Sequence, residues 1–548
     1  MPTPYLLRID ILNKKWKDKK MNKDLFRSNP GNVKEAISIN EAGGKAYELS
    51  DKAALAQYAL TGTLFGTFYS SDEEQLTKIL ELANKCDVEY VAKLSVYARQ
   101  KGLMKDIPSL LAAYVAAKDV SLLQRIFFKV IDDPKMFRNF IKVIRSGITG
   151  RKSFGSRPKK LLQKWLENLT DEQLFKASVG NDPSLEDCLK MIRPKAANEG
   201  RNALYGYLLG KDHSAEALLP IAREYEAFKK NMDLDIPNVP FQMLTALSLT
   251  PGHWKKIAQR ATWNQIRHNL NAFSSHNVFE DKAIVEQLAA KLSDPDEVRR
   301  ANVFPYQLFS TFINVQDNVP VLIKIALQKA AEIATENVPA IEGDVAIALD
   351  VSGSMRDPVT GKRGTASTKM RCVDVASMIA ASIVRKNPTA RIIPFDTVVK
   401  QVNLNPLDSV MTNAQKLAAA GANGGTDCAA ALAFMNEQNM KAQTVVYVSD
   451  NQSWAQSTRE YPGYRGYAAK GTGTTMMHEW ATFERRNRGA KLINIDIAPY
   501  GTTQVYDKSN TINVGGFSDQ VFEVVSMFLK EGQADMVVKT IEAVEIPE

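Results

Sequence analysis

A chain of 548 residues, 45% of them apolar, is long enough for about three domains and apolar enough to give each a core. Four scattered cysteines with no CxxC pair argue against a disulfide scaffold and for a reducing compartment. No apolar run approaches ~18 residues, which argues against a membrane helix, and the net charge of +9 is unevenly spread. Residues 1–340 hold 49 Lys and Arg against 39 Asp and Glu, while residues 341–548 hold 21 against 22. The whole basic excess lies in the first part, a first hint of a polyanionic partner there.

In chain order, residues 1–22 read as a flexible extension. The start lacks a small-residue cleavage site, and Arg8 and Asp10 interrupt its apolar part. Met21 is an alternative start. Residues 23–340 then read as helix after helix. "EQLTKILELA" places Leu76, Ile79, Leu80 and Ala83 on one face, and "SLLQRIFFKVI" does the same with Leu122, Leu123, Ile126, Phe127, Val130 and Ile131. The breaks "DDP" (132–134), "NDPS" (181–184), "DIPNVP" (235–240) and "SDPD" (293–296) suit helix starts. Short links between helices of this length predict an α-solenoid.

Within this part, residues 134–165 carry ten basic residues and no acidic one. They are Lys135, Arg138, Lys142, Arg145, Arg151, Lys152, Arg157, Lys159, Lys160 and Lys164. Lys190, Arg193 and Lys195 follow soon after. Charge runs are usually solvated faces, but those normally mix signs. Phosphate backbones reward single-sign clusters through counterion release. The glycines at 147, 150 and 155 predict a mobile loop, and Phe154 is a candidate for stacking on an unpaired base.

After residue 340 the grammar changes. "VAIALD", "ARIIPFD", "TVVYVSD" and "KLINIDI" are short apolar strands alternating with helical stretches such as 369–386 and 427–438. That alternation predicts a doubly wound, mainly parallel sheet over 341–548. Three strands run into an aspartate: Asp350, Asp396 and Asp450. Ligands of open α/β sheets bind at the carboxyl ends of the strands. Ser352 and Ser354 follow Asp350 directly, and the loop at 421–428 offers Thr426. Two carboxylates and three hydroxyls are hard oxygen donors that suit Mg²⁺ or another divalent cation. The competing reading is that the aspartates cap helices and the serines close a turn. Asp396 and Asp427 are not needed for the cage and read as caps or supports. Enzyme signals are weak: there is no P-loop and no HExxH among the five histidines.

The run Asp350, Ser352, Ser354 resembles the DxSxS element of the metal-ion-dependent adhesion site of von Willebrand factor A domains, with Thr426 and Asp450 at its later stations. The stretches "LAQYALTGTLFGTFYSSDEEQL" (55–76), "GRKSFGSRPKKLLQKW" (150–165) and "ANVFPYQLFSTFI" (301–313) resemble signatures of the TROVE domain. A TROVE part at 23–340 followed by an A domain at 341–548 resembles the Ro autoantigen family, in its bacterial form. The resemblance implies HEAT-like helices in a ring closed by the A domain. It implies a cytoplasmic, monomeric, non-catalytic scaffold that binds Y-like RNA and the ends of misfolded noncoding RNA, with an exoribonuclease as partner. The RNA surface would be Arg138, Lys142, Arg151, Lys152, Arg157, Lys159, Lys160, Lys190, Arg193 and Lys195. One departure is Leu185, which stands where animal members carry an RNA-contacting histidine. The alternative function is an adhesion-site scaffold for acidic protein partners, without RNA.

Overall fold

The computed structural model describes residues 33–61, 64–65, 67–180, 182–336, 338, 340–362, 370–421, 424–455, 473–498, 500–516, 520–532 and 535–547. The extension expected at 1–22 lies outside them.

Among the described residues from Asp51 to Ala334 the regular structure is helical, and the sequence breaks do what their chemistry allows. Asp133 caps the helix Pro134–Ser146 by accepting the Met136 N–H, with Pro134 where no donor is needed. Ser184 and Asp187 form a capping box on Leu185–Ile192. Asp294 caps Pro295–Ala301 in the same way as Asp133. The apolar stripes read from the sequence are the buried ones: Leu122, Leu123, Ile126, Phe127 and Val130 all face inward on the helix Val120–Val130. Helices near in sequence pack on one another, as Val88–Gln100 does on Asp106–Lys118 and Pro305–Asn314 on Val321–Ala334, so the core runs along the array.

The second unit is built on five parallel strands. With β1 at Ser38–Ile39 and β2 at Lys45–Glu48, these are β3 (Val345–Asp350), β4 (Arg391–Phe395), β5 (Thr444–Ser449), β6 (Lys491–Asp496) and β8 (Thr511–Gly515), in the order β4-β3-β5-β6-β8. Alternate residues of the strands serve opposite faces. Ile347, Leu349, Val446 and Val448 meet the helices Cys372–Lys386, Val410–Ala419 and Gln520–Glu531. Ala346, Ala348, Val445 and Tyr447 meet Ala430–Glu437 and Gly473–Arg486. Both faces are covered, which is why the strands read as unbroken apolar runs. β3 pairs with β4 on one side and β5 on the other, so the winding direction reverses between β3 and β5.

The sequence rhythm assigns residues 23–340 to the helical part, but the structure seats residues 33–48 on the sheet unit. β1 and β2 pair antiparallel, and β2 pairs with β7 (Thr502–Thr503). Strands of two and four residues are too short to leave a periodic signal.

Both ends of the helical array rest on the sheet unit, so the chain closes on itself. At one end the helix Asp51–Thr61 packs on β8, Gln520 Nε2 donates to the Tyr97 hydroxyl at 2.5 Å, and Lys52 pairs with Glu542 at 2.7 Å. At the other, Pro305–Asn314 and Val321–Ala334 pack on Cys372–Lys386 and Val410–Ala419. There Glu332 accepts the Val410 N–H at 2.7 Å and pairs with Arg385 at 2.9 Å.

Candidate metal centre and basic surface

The reversal of winding opens a crevice between β3 and β5. Asp350, the last residue of β3, and Asp450, just past β5, flank it. Both are buried, as are Ser352, Ser354 and Thr426. Asp350 Oδ1 accepts the Ser352 N–H at 2.9 Å, and its Oδ2 accepts the Ser449 hydroxyl at 2.6 Å. The Ser352 and Ser354 hydroxyls lie 3.4 Å apart, and Ser354 reaches the Asp450 side chain. Asp450 Oδ1 accepts the Gln452 N–H at 3.1 Å. The Thr426 carbonyl accepts from Trp454 N–H at 3.0 Å and Ala455 N–H at 3.1 Å, which ties the Thr426 loop to the Asp450 loop. The Gly353 N–H donates to the Gly424 carbonyl at 3.0 Å, which brings the serine loop to the same place.

The five residues expected to form the cage are therefore together. Burial pushes Asp350 up from the ordinary carboxylate range, with Asp396 adding repulsion. Burial does the same to Asp450, and Asp350 is the neighbour that repels it. Among the described residues neither carboxylate has an ion-pair partner. Two buried acids and hydroxyls with no cation among them make a donor set that a hard divalent ion fits.

Asp396 pairs with Lys400 at 3.1 Å, and its Oδ1 accepts the Val398 N–H. Asp427 Oδ1 accepts the Ala429 N–H at the start of the next helix. Both hold the turns that follow them, a supporting role rather than a helix cap. Sequence reading missed Ser449, which holds Asp350, and Asn451, which donates to Asp496 Oδ2 at 2.8 Å. It also missed Gln452, whose side chain accepts the Ala42 N–H at 3.1 Å and donates to Glu41 at 3.1 Å. The signal for Ser449 was its place at the end of an apolar strand. Nothing local pointed to Glu41, more than 400 residues away. Beside Ser352 a cleft of about 350 Å³ opens between Phe309 and Ile313 of the array and Arg356 and Arg371 of the sheet unit.

The basic stretch is more divided than its sequence. The helix Ser156–Asn168 buries Pro158, Leu161, Leu162, Trp165 and Leu166. Trp165 stacks on Phe137 with ring centroids 4.2 Å apart and donates to the Ile131 carbonyl at 2.7 Å. That fixes the helix so that Arg157, Lys160 and Lys164 are exposed and Lys159 is partly so. Gln163, one turn after Lys159 and Lys160, donates to the carbonyls of Ile192 and Arg193 at 3.2 and 3.3 Å. The exposed Arg193 and Lys195 thus border the same helix.

Several expectations are corrected here. Phe154 is buried, so it is part of the core rather than a stacking platform. The loop at 147–155 is not merely a charge-bearing mobile link, because the Arg151 guanidinium ties it down. Arg151 donates to the carbonyls of Ala116 at 2.7 Å, Ser153 at 2.8 Å and Phe154. Arg138 donates to the Ala177 carbonyl and lies against Gly180. Lys135 pairs with Asp106, Lys142 with Asp182, and Lys190 with Glu186. The first two acids lie outside the run and Glu186 lies one helical turn before Lys190, so folding mixes signs where the run shows one. Among the described residues, Arg145, Lys152, Arg157, Lys159, Lys160 and Lys195 have no carboxylate within ion-pair distance. Leu185 is the buried first residue of its helix.

Residues 345–529 match the family model for the Ro60 vWA domain. The chain is 23% identical over 468 residues to the "RNA-binding protein RO60" of Deinococcus radiodurans, an alignment that covers 79% of this chain and 86% of that one. Its fold superposes on the crystal structure of the Deinococcus radiodurans RO (RSR) protein with a TM-score of 0.60, at 19% identity, covering 88% of this chain and 100% of that chain. Residues 345–529 thus form a Ro60-type von Willebrand factor A domain, joined to a helical array in a fold similar to that of the Deinococcus RO protein.

Proposed function

We propose that this protein is an RNA-binding scaffold without catalytic activity of its own. The observation that carries the reading is the start of the helix Ser156–Asn168. It has no side-chain cap and no acidic residue in its first turn, and Arg157, Lys159 and Lys160 surround it. Free N–H groups, the positive end of the helix dipole and unpaired cations together favour phosphate. Arg145, Lys152, Arg193 and Lys195 extend the surface. The RNA-binding name of the Deinococcus relative supports the same class of ligand. The finer reading is that the RNAs are Y-like RNA and the ends of misfolded or structured noncoding RNA. The protein would act in their quality control, maturation or decay beside an exoribonuclease, in the cytoplasm.

In this reading Asp350, Ser352, Ser354, Thr426 and Asp450 would hold Mg²⁺ or another divalent cation, which would supply a positive centre for an oxygen ligand. The chain's own residues orient it: Ser449 and the Ser352 N–H aim Asp350, and the Gln452 N–H aims Asp450.

Purification from an RNA-containing host tests the main claim. Absorbance at 260 nm that ribonuclease removes, together with recovered noncoding RNA on sequencing, is the expected result. A protein that carries no RNA and gives no shift with structured RNA at low salt would overturn it.

A further inference from the structure

Residues 67–70, between the first two helices of the array, approach the metal cage through Tyr69. The Tyr500 hydroxyl is 3.2 Å from Thr67 Oγ1 and also receives the Tyr69 N–H. The Tyr69 ring meets Tyr500 edge-on at 6.1 Å and Phe68 at 4.7 Å. These contacts hold the Tyr69 hydroxyl against the side chains of Ser354 and Trp454. Ser354 is one of the cage hydroxyls, and it in turn reaches Asp450. Trp454 is 46% exposed and lies over Gly425, where an added Cβ would come within 3.0 Å of its ring. A side chain of the helical array therefore reaches one of the cage hydroxyls.

We infer that Tyr69 supplies, from within the chain, the oxygen that faces the metal at the position an outside ligand would otherwise take. The inference rests on the metal reading above. Charge favours it. Two carboxylates already balance a divalent cation, and a phenol, with an ordinary pKa of about 10, adds a neutral donor. An outside carboxylate must displace Tyr69 and break its contacts with Trp454 and Tyr500. The adhesion site is thus closed by the array in the same chain, and metal binding draws the array onto the sheet unit. Displacement of Tyr69 is what would open the site to an acidic partner.

The test uses the full chain as wild type, Tyr69→Phe and Tyr69→Ala. Tyr69→Phe keeps the ring packing and removes only the hydroxyl. Mn²⁺ binding is followed by calorimetry with and without sodium acetate as the probe carboxylate. In the wild type acetate should leave Mn²⁺ affinity unchanged, within about twofold. In both variants it should tighten Mn²⁺ binding about fivefold or more once acetate exceeds its own dissociation constant several times over, because the two ligands are then linked. Chymotryptic cleavage within residues 64–70 should slow on adding Mn²⁺ in the wild type and not in Tyr69→Phe. Equal enhancement by acetate in wild type and variants overturns the role of Tyr69 while leaving the metal site standing. A wild type that binds no Mn²⁺ overturns both.

Discussion

Asp350 Oδ2 accepts the hydroxyl of Ser449 at 2.6 Å, across the switch point of the sheet. A hydroxyl at the end of one strand thereby aims the carboxylate at the end of its neighbour. Ser449 Oγ also accepts the Asn451 N–H at 2.9 Å, so the same atom shapes the loop that carries Asp450. Such supports tune a metal site although they never touch the ion. Ser449→Ala should weaken Mn²⁺ binding about 10–100-fold. Calorimetric titration checks this, and unchanged affinity would remove Ser449 from the site.

Asp350→Asn should abolish metal binding without unfolding the protein. The wild-type carboxylate is buried, is repelled by Asp396, and has no ion-pair partner among the described residues. Removing a buried, uncompensated charge relieves the fold rather than breaking it. With chelator in both samples, the variant should melt within about 2 °C of wild type or above it. A much earlier melt in chelator would make Asp350 a structural residue and Ser352 and Ser354 no more than turn residues.

The oxygen cluster was legible in the sequence because Asp350 ends one strand and Asp450 follows another, where the α/β plan itself delivers them. The breaks "DDP" and "SDPD" were legible for a similar reason, since Asp133 and Asp294 satisfy N–H groups within their own turn. What escaped was non-local. Tyr69 reaches Ser354 across nearly 300 residues, and Glu41 reaches Gln452 across more than 400. No window of sequence contains both partners. The basic run misled for the same cause: Asp106, which pairs with Lys135, starts an earlier helix, and Asp182, which pairs with Lys142, lies in a later turn.

The four cysteines should be nearly inert in the native protein. Burial pushes the half-buried Cys86 thiol up to about 11 and Cys188 up to about 12, and it also raises the fully buried Cys372 and Cys428. The thiolate is the reactive form. At pH 7.5 iodoacetamide should label none of them appreciably, and all four after denaturation. As pH rises, Cys86 should be the first to react. Peptide mass spectrometry reads the order, and early labelling of Cys428 would contradict its burial.

Arg151 is basic but structural. Its guanidinium satisfies three carbonyls, of Ala116, Ser153 and Phe154, and so joins the loop to the helix Asp106–Lys118. Arg151→Ala leaves carbonyls without donors and should cost about 2–3 kcal/mol of stability. Denaturant unfolding measures this. Weakened RNA binding in this variant would then come with a lowered midpoint, which separates it from a surface contact.

Lys159 and Lys160 are the opposite case. They stand at the start of the helix Ser156–Asn168, whose grip on the array depends on Leu161, Leu162, Trp165 and Leu166. Neither has an ion-pair partner among the described residues. Replacing both by glutamate should move stability by no more than about 0.5 kcal/mol each. RNA affinity should nevertheless fall strongly. The slope of log affinity against log salt should drop by about 2 as two phosphate contacts are lost. The loss should be similar across unrelated structured RNAs, because phosphate contacts carry no sequence information. Gel-shift titrations at three or more salt concentrations give both numbers. Unchanged affinity and slope in a well-folded double variant would mean that RNA, if bound, lies elsewhere on the array, and the uncapped helix start would be a solvated end.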